Sequence, residues 1–137
     1  IQDGTIDAIA SDHRARSKDT KIQPFSAASI GAAGIETLFF LTLELVHKKI
    51  INLSQAISMI TINPTKILKI NEPTLLENES ATFIIFDKNY RHEINKNELK
   101  TSPTPFHGRQ VKGKILSTFI NGNPSYVNPI LKEKIIK

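Results

Sequence analysis

The residues best placed to do chemistry stand near the start of the chain, at Asp12-His13. They follow Ile6-Asp7-Ala8-Ile9-Ala10-Ser11, a short, mostly apolar run that stops at a carboxylate and an imidazole. An apolar run of this length, bounded by polar residues, suits a buried strand of a parallel sheet. Ionisable residues at the carboxyl end of such a strand are where α/β barrels place their reactive groups. A carboxylate there can move a proton or hold a divalent metal. The same Ser-Asp pair can also open a turn or cap a helix.

The elements that must position this pair follow from the apolar pattern. Residues 5–12 read as the first strand. Residues 13–30 form a long polar connection carrying Arg14, Arg16, Lys18, Asp19 and Lys21. Connections of this length in compact domains are usually functional or disordered. Residues 32–48 read as a helix, with Ile35, Leu38, Phe39, Leu45 and Val46 on one face and Phe40, Leu41 and Leu43 widening it. Gly31 and Gly34 at its start allow close backbone approach. Glu36 in the first turn and Lys48-Lys49 at the end suit the helix dipole, as does His47 in the last turn.

Asn52 with Gln55 predicts a capping box and a second helix, its apolar side Ala56, Ile57, Met59 and Ile60. Asn63-Pro64 reads as a cap plus a first-turn proline of a third helix, buried through Ile67, Leu68 and Ile70. After Pro73 the pattern turns to strands. One covers 81–86 and ends at Asp87. A second covers 111–120, and Asn121-Gly122 turns it back into Ser125-Tyr126-Val127. Residues 87–110 read as connection. His92 and His107 read as surface residues. The expected organisation is 1–72 and 73–137, with no internal repeat.

The 137 residues carry a formal charge of +5. Of the 18 basic residues only Arg14, Arg16, Arg91 and Arg109 are arginine. The bias is spread along the chain, with local concentrations at Lys48-Lys49 and in the tail 131–137, so a dedicated nucleic-acid surface is not expected. No run of 18 apolar residues marks a membrane helix. The absence of cysteine removes disulfides and thiolate ligands and fits a cytoplasmic setting. A chain that opens on Ile1, already near a strand, reads as a piece of a longer polypeptide.

Five motifs in order resemble the C-terminal third of the dihydroorotases of the amidohydrolase superfamily. They are Asp3-Gly4-Thr5-Ile6-Asp7-Ala8-Ile9-Ala10-Ser11-Asp12-His13; Gly31-Ala32-Ala33-Gly34-Ile35-Glu36-Thr37; Thr61-Ile62-Asn63-Pro64-Thr65-Lys66-Ile67-Leu68; Ala81-Thr82-Phe83-Ile84-Ile85-Phe86-Asp87; and Ser102-Pro103-Thr104-Pro105-Phe106-His107-Gly108-Arg109.

The resemblance implies an α/β fold: the last strand and closing helices of a TIM-type metal-dependent hydrolase barrel over 1–72, then C-terminal strands of a small β-sandwich. It implies one or two zinc ions and a water attacking a cyclic amide of a small-molecule substrate. Asp12 would bind metal and relay the proton. Arg16 stands where many relatives carry a substrate-binding histidine, and Ile30 and Gly31 would bring backbone toward the substrate. Catalytic zinc takes about three protein ligands plus water. The histidines here are His13, His47, His92 and His107, with no His-x-His pair. Most ligands are therefore expected in a preceding part of the same polypeptide, and the chain is expected to be inactive alone. A homodimer, or aspartate transcarbamoylase bound by an inactive scaffold subunit, are the partner readings. A hydantoinase or allantoinase is the neighbouring enzyme reading.

Overall fold

A computed structural model describes residues 1–72, 74–97, 99–101 and 103–129. Pro73, Ser102 and the basic tail 131–137 lie outside the described residues. The elements are α1 (Lys18–Lys21), α2 (Leu38–His47), α3 (Leu53–Ile60), α4 (Ile62–Leu68), β1 (Phe83–Glu93), β2 (Gln110–Ile120) and β3 (Asn123–Val127).

The strands form one antiparallel sheet in the order β1-β2-β3. Asn121 and Gly122 join β2 to β3 with φ of 51° and 78°. Positive φ at both central residues is what a tight type I′ hairpin demands. The expected end of β1 at Asp87 is corrected. The Asp87 carboxylate accepts the Asn89 N–H at 2.8 Å, a local turn contact. The ladder slips between Asp87 and Arg91 and then resumes to Glu93. Turn-forming residues here make a bulge rather than a strand end.

Helix α2 packs on β2 through a gap left by Gly113. A Cβ there would lie 2.6 Å from Leu43 Cδ1 and 3.3 Å from Phe40 Cδ1. Leu43 is only 1% exposed, so it has no room to withdraw. Phe39 meets Phe86 edge-on at 4.9 Å between centroids, and Phe40 meets His92 at the same distance. His92 is therefore half-buried rather than on the surface. A two-pronged ion pair ties the same elements: Arg109 Nε and Nη2 donate to Glu44 Oε1 and Oε2 at 2.9 and 2.7 Å. Burial alone would raise the Glu44 carboxyl. The Arg109 hydrogen bond and charge, with Lys48, outweigh it and hold the group below its ordinary range.

α2 begins at Leu38, not at residue 32. Ala32 instead forms an isolated parallel bridge with His13, and a turn fills the interval. Ile35 consequently leaves the apolar face and is 59% exposed. Glu36 precedes the helix and does not serve its dipole. His47 lies in the last turn, but its Nε2 meets the Lys88 carbonyl of β1 at 3.0 Å. The connection after residue 13 is not featureless, because it contains α1.

The Asn52–Gln55 capping box is present in both directions at α3. Ala56 and Met59 of this helix bury a small core with Ile51, against Ile9, Leu45 and Val46. At α4 the expected cap is corrected: the cap position is Thr61, and Asn63 lies inside the first turn. Its Nδ2 donates instead to the Asp7 carbonyl at 2.7 Å. Pro64 costs little there, because first-turn N–H groups have no helical partner. Ile67, Leu68 and Ile70 are exposed, contrary to the expected burial.

Residues 5–12 contain no helix or turn and form no ladder among the described residues. Ile9 N–H donates to the Met59 carbonyl at 3.0 Å, and Asn63 holds Asp7 as above. The expected strand is thus a segment laid on α3 and α4, whose one β-bridge among the described residues is the His13–Ala32 pair just after it. No helix among the described residues is long and apolar enough to cross a membrane.

Candidate functional site

Asp12 closes the 5–12 segment in a left-handed conformation, φ 42°. Such a φ is uncommon outside glycine and tolerated best by Asp and Asn. It turns the chain and leaves the carboxylate 85% exposed, with Arg14 Nε at 3.4 Å from Oδ1. An exposed pair of this length adds little stability.

The next residues fasten the segment to the glycine turn before α2. His13 Nδ1 accepts the N–H groups of Gly34 and Ile35, both at 3.2 Å. Arg14 N–H donates to the Ala32 carbonyl at 2.9 Å. This approach needs both glycines. A Cβ on Gly31, whose φ is 116°, would lie 2.6 Å from Arg14 Cβ and 2.7 Å from the Arg14 carbonyl oxygen. On Gly34 it would lie 2.9 Å from the Ser11 carbonyl oxygen. Both obstacles are backbone or backbone-adjacent atoms that cannot step aside.

Arg16 reaches the same turn: its Nε donates to the Ile30 carbonyl at 3.2 Å. Lys21 Nζ donates to the carbonyls of Ser29 and Gly31 at 2.9 and 2.8 Å, so α1 braces the turn from behind. From the opposite side Glu36 accepts the N–H groups of Lys100 and Thr101 at 3.0 and 2.9 Å and the Thr101 hydroxyl at 2.6 Å. Ala33 N–H donates to the Pro103 carbonyl at 2.9 Å. Burial alone would raise the Glu36 carboxyl. The Thr101 hydroxyl, the two amides and the Lys100 charge outweigh it and hold the group below its ordinary range.

The structure thus brings Asp12, Arg16, Ile30 and Gly31 to one end of the 5–12 segment. The roles of His13, Lys21 and Glu36 were not legible as such. Lys21 read as a loop charge and Glu36 as a dipole partner, since the Lys21 partners are backbone carbonyls and the Glu36 partners, two amides and the Thr101 hydroxyl, lie far along the chain. The remaining histidines stand elsewhere: His47 reaches β1, His92 on β1 meets Phe40 of α2, and His107 Nδ1 sits between the Ile94 carbonyl and the Lys96 amide at 3.2 and 3.3 Å. No group of three or more His, Cys, Asp or Glu suited to a metal occurs among the described residues. Asp12 fits a metal site as one open carboxylate ligand, and the described residues do not furnish a complete set.

The chain that carries this arrangement has relatives. The profile of the amidohydrolase family matches residues 1–124. The chain belongs to the amidohydrolase family. Among curated family members, the dihydroorotase of Anaplasma phagocytophilum is 36% identical over 128 residues, covering 92% of this chain and 29% of that protein. The chain spans about 30% of the length of the curated relatives it matches. In fold it is similar to the L-hydantoinase (dihydropyrimidinase) of Arthrobacter aurescens, with a TM-score of 0.83 at 24% identity over 92% of this chain and 30% of that one. It is also similar to the inactive dihydroorotase-like domain of the Chaetomium thermophilum CAD-like multifunctional protein, with a TM-score of 0.57 at 14% identity over 73% of this chain and 27% of that one. As an amidohydrolase segment, the chain carries a fragment of that family's fold.

Proposed function

We propose that this chain is the C-terminal portion of a zinc-dependent cyclic amidohydrolase, a dihydroorotase that interconverts dihydroorotate and N-carbamoyl-L-aspartate in pyrimidine synthesis. On this reading residues 1–72 supply the last strand and closing helices of the barrel, and 73–137 the C-terminal strands of the sandwich. The observation that carries it is the exposed Asp12 carboxylate at the end of the 5–12 segment, fastened to the glycine turn. The dihydroorotase relatives support the substrate, since their similarity extends over nearly the whole chain.

Bound zinc would supply a Lewis acid and a water whose pKa is lowered to about 7. Asp12 would be one ligand, the others coming from the part of the relatives this chain does not span. Asp12 Oδ takes the proton of the attacking water and delivers it to the ring nitrogen as the C–N bond breaks. Arg16 is engaged only through Nε among the described residues. Its Nη groups remain to pair with the substrate carboxylate. The backbone at Ile30 and Gly31 orients the ring.

The test uses the full-length protein that contains this chain. Zinc content and conversion of dihydroorotate are measured together. Zinc with turnover, both abolished by removing the metal, is the expected result. Turnover of hydantoin but not dihydroorotate would reassign the substrate. A folded protein active on neither would point to a scaffold role, with aspartate transcarbamoylase binding as its readout.

A further inference from the structure

We propose that His13 is a positioning residue: a neutral imidazole, protonated on Nε2, that sets the distance between Asp12 and the substrate-facing turn by accepting two amides on Nδ1. This rests on the cyclic amidohydrolase reading of the site.

The chemistry of the donors fixes the tautomer. Backbone N–H groups can only donate, and Gly34 and Ile35 both point at His13 Nδ1 from 3.2 Å. That nitrogen must present its lone pair, so a neutral ring carries its hydrogen on Nε2. The same use of the lone pair removes Nδ1 from metal binding, although the residue adjoins Asp12. His13 also bridges Ala32 through the backbone, and Arg14 N–H closes that bridge at 2.9 Å. The ring and the main chain of one residue therefore grip opposite ends of the 32–35 interval. Asp12 is the preceding residue and is held in a left-handed conformation. Loosening the ring would free the turn that carries Gly31 and relax Asp12 together.

The test compares His13→Ala with His13→Asn in the full-length enzyme. The asparagine Oδ1 stands the same number of bonds from the backbone as Nδ1 and can accept the same amides, whereas alanine cannot. His13→Ala is expected to lower kcat/KM for dihydroorotate ~10- to 100-fold, the usual cost of losing a supporting partner of a metal-site ligand. Both a higher KM and a lower kcat should contribute. His13→Asn is expected to restore most of the loss. Hydrogen exchange at the Gly34 and Ile35 amides should speed up in His13→Ala and not in His13→Asn. Unchanged protection in β2 would show that His13→Ala remains folded. Nitrogen-15 spectra of the wild type should show an unprotonated Nδ1 and a protonated Nε2. Equal impairment of the two variants, or an unimpaired His13→Ala, would overturn the proposal. If the wild type hydrolyses no cyclic amide, the functional reading fails by itself. The His13 assignment then stands or falls on the tautomer and the exchange rates.

Discussion

β2 has a strand on each edge and α2 across one face, whereas residues 5–12 meet α3 and α4 through the Ile9 side chain and two hydrogen bonds to their backbone. The first region is held mainly by packing, Gly113 against Leu43 and Phe40 and Phe39 against Phe86, with the Glu44–Arg109 ion pair beside it. The second is held by polar contacts converging on one turn, from His13, Arg14, Arg16, Lys21 and Glu36. Packing sets how stable the fold is. Converging hydrogen bonds set where reactive groups stand. The two regions should therefore fail in different ways when mutated, one in stability and the other in turnover.

The sharpest separation is expected at Asp12. Asp12→Asn in the full-length protein should reduce kcat by at least ~10²-fold. Its urea midpoint should stay near wild type, because the side chain is exposed. Near-normal turnover in a folded variant would remove Asp12 from the chemistry. Gly113→Ala should do the reverse. The new methyl would enter a filled site at φ 122°, destabilising the fold by about 2–4 kcal/mol. Activity per folded molecule should hold. An unchanged urea midpoint would mean that α2 does not rest on β2 as described.

Arg16→Ala should raise the KM for dihydroorotate ~10-fold or more, the loss expected for a charge-assisted hydrogen bond, with little change in kcat or stability. A pure loss of stability would reduce Arg16 to a brace for Ile30. The smallest effect concerns acid. Glu36 and Glu44 are both held below their ordinary range in the folded state. Their contribution is complete above the unfolded value of about 4.3. It is lost as pH falls through the lower folded values, when each carboxylate takes up a proton. Glu36→Gln and Glu44→Gln should each flatten the acid limb of a stability–pH curve, by less than ~1 kcal/mol given partial solvent screening. Acid limbs identical to wild type would show that neither clamp forms in solution.

Much of this was legible in the residues. The Asn52–Gln55 capping box, the Asn121-Gly122 hairpin and β2 follow from local rules in which the signal and its partner lie within a few positions. The closeness demanded by Gly31 and Gly34 was also legible, because a missing side chain implies something near. What escaped were contacts made at a distance. Asn63 carries a cap's chemistry, yet it serves the Asp7 carbonyl 56 positions away. Glu36 suits a helix start, yet the N–H groups it accepts are 64 and 65 positions on. Asp87 looks like a stop, but its partner strand continues past it and the chain rejoins the ladder. At the site, the motif pointed to Asp12 and the place of Arg16. It gave no sign that Lys21 would brace the turn, because a lysine bound to carbonyls looks like any solvated lysine.

The connection between β1 and β2 has a base closed by two backbone bonds, from Ile94 N–H to the Arg109 carbonyl and from Gly108 N–H to the Ile94 carbonyl. Its middle delivers the Lys100 and Thr101 amides to Glu36. Surface loops usually absorb inserted residues at little cost. This one has a fixed length to keep: an added residue between 95 and 99 would offer Glu36 a different pair of amides, and the misfit would be passed to the turn that faces Asp12. The loop thus belongs to the gauge of the site, and its length should be among the features least free to drift.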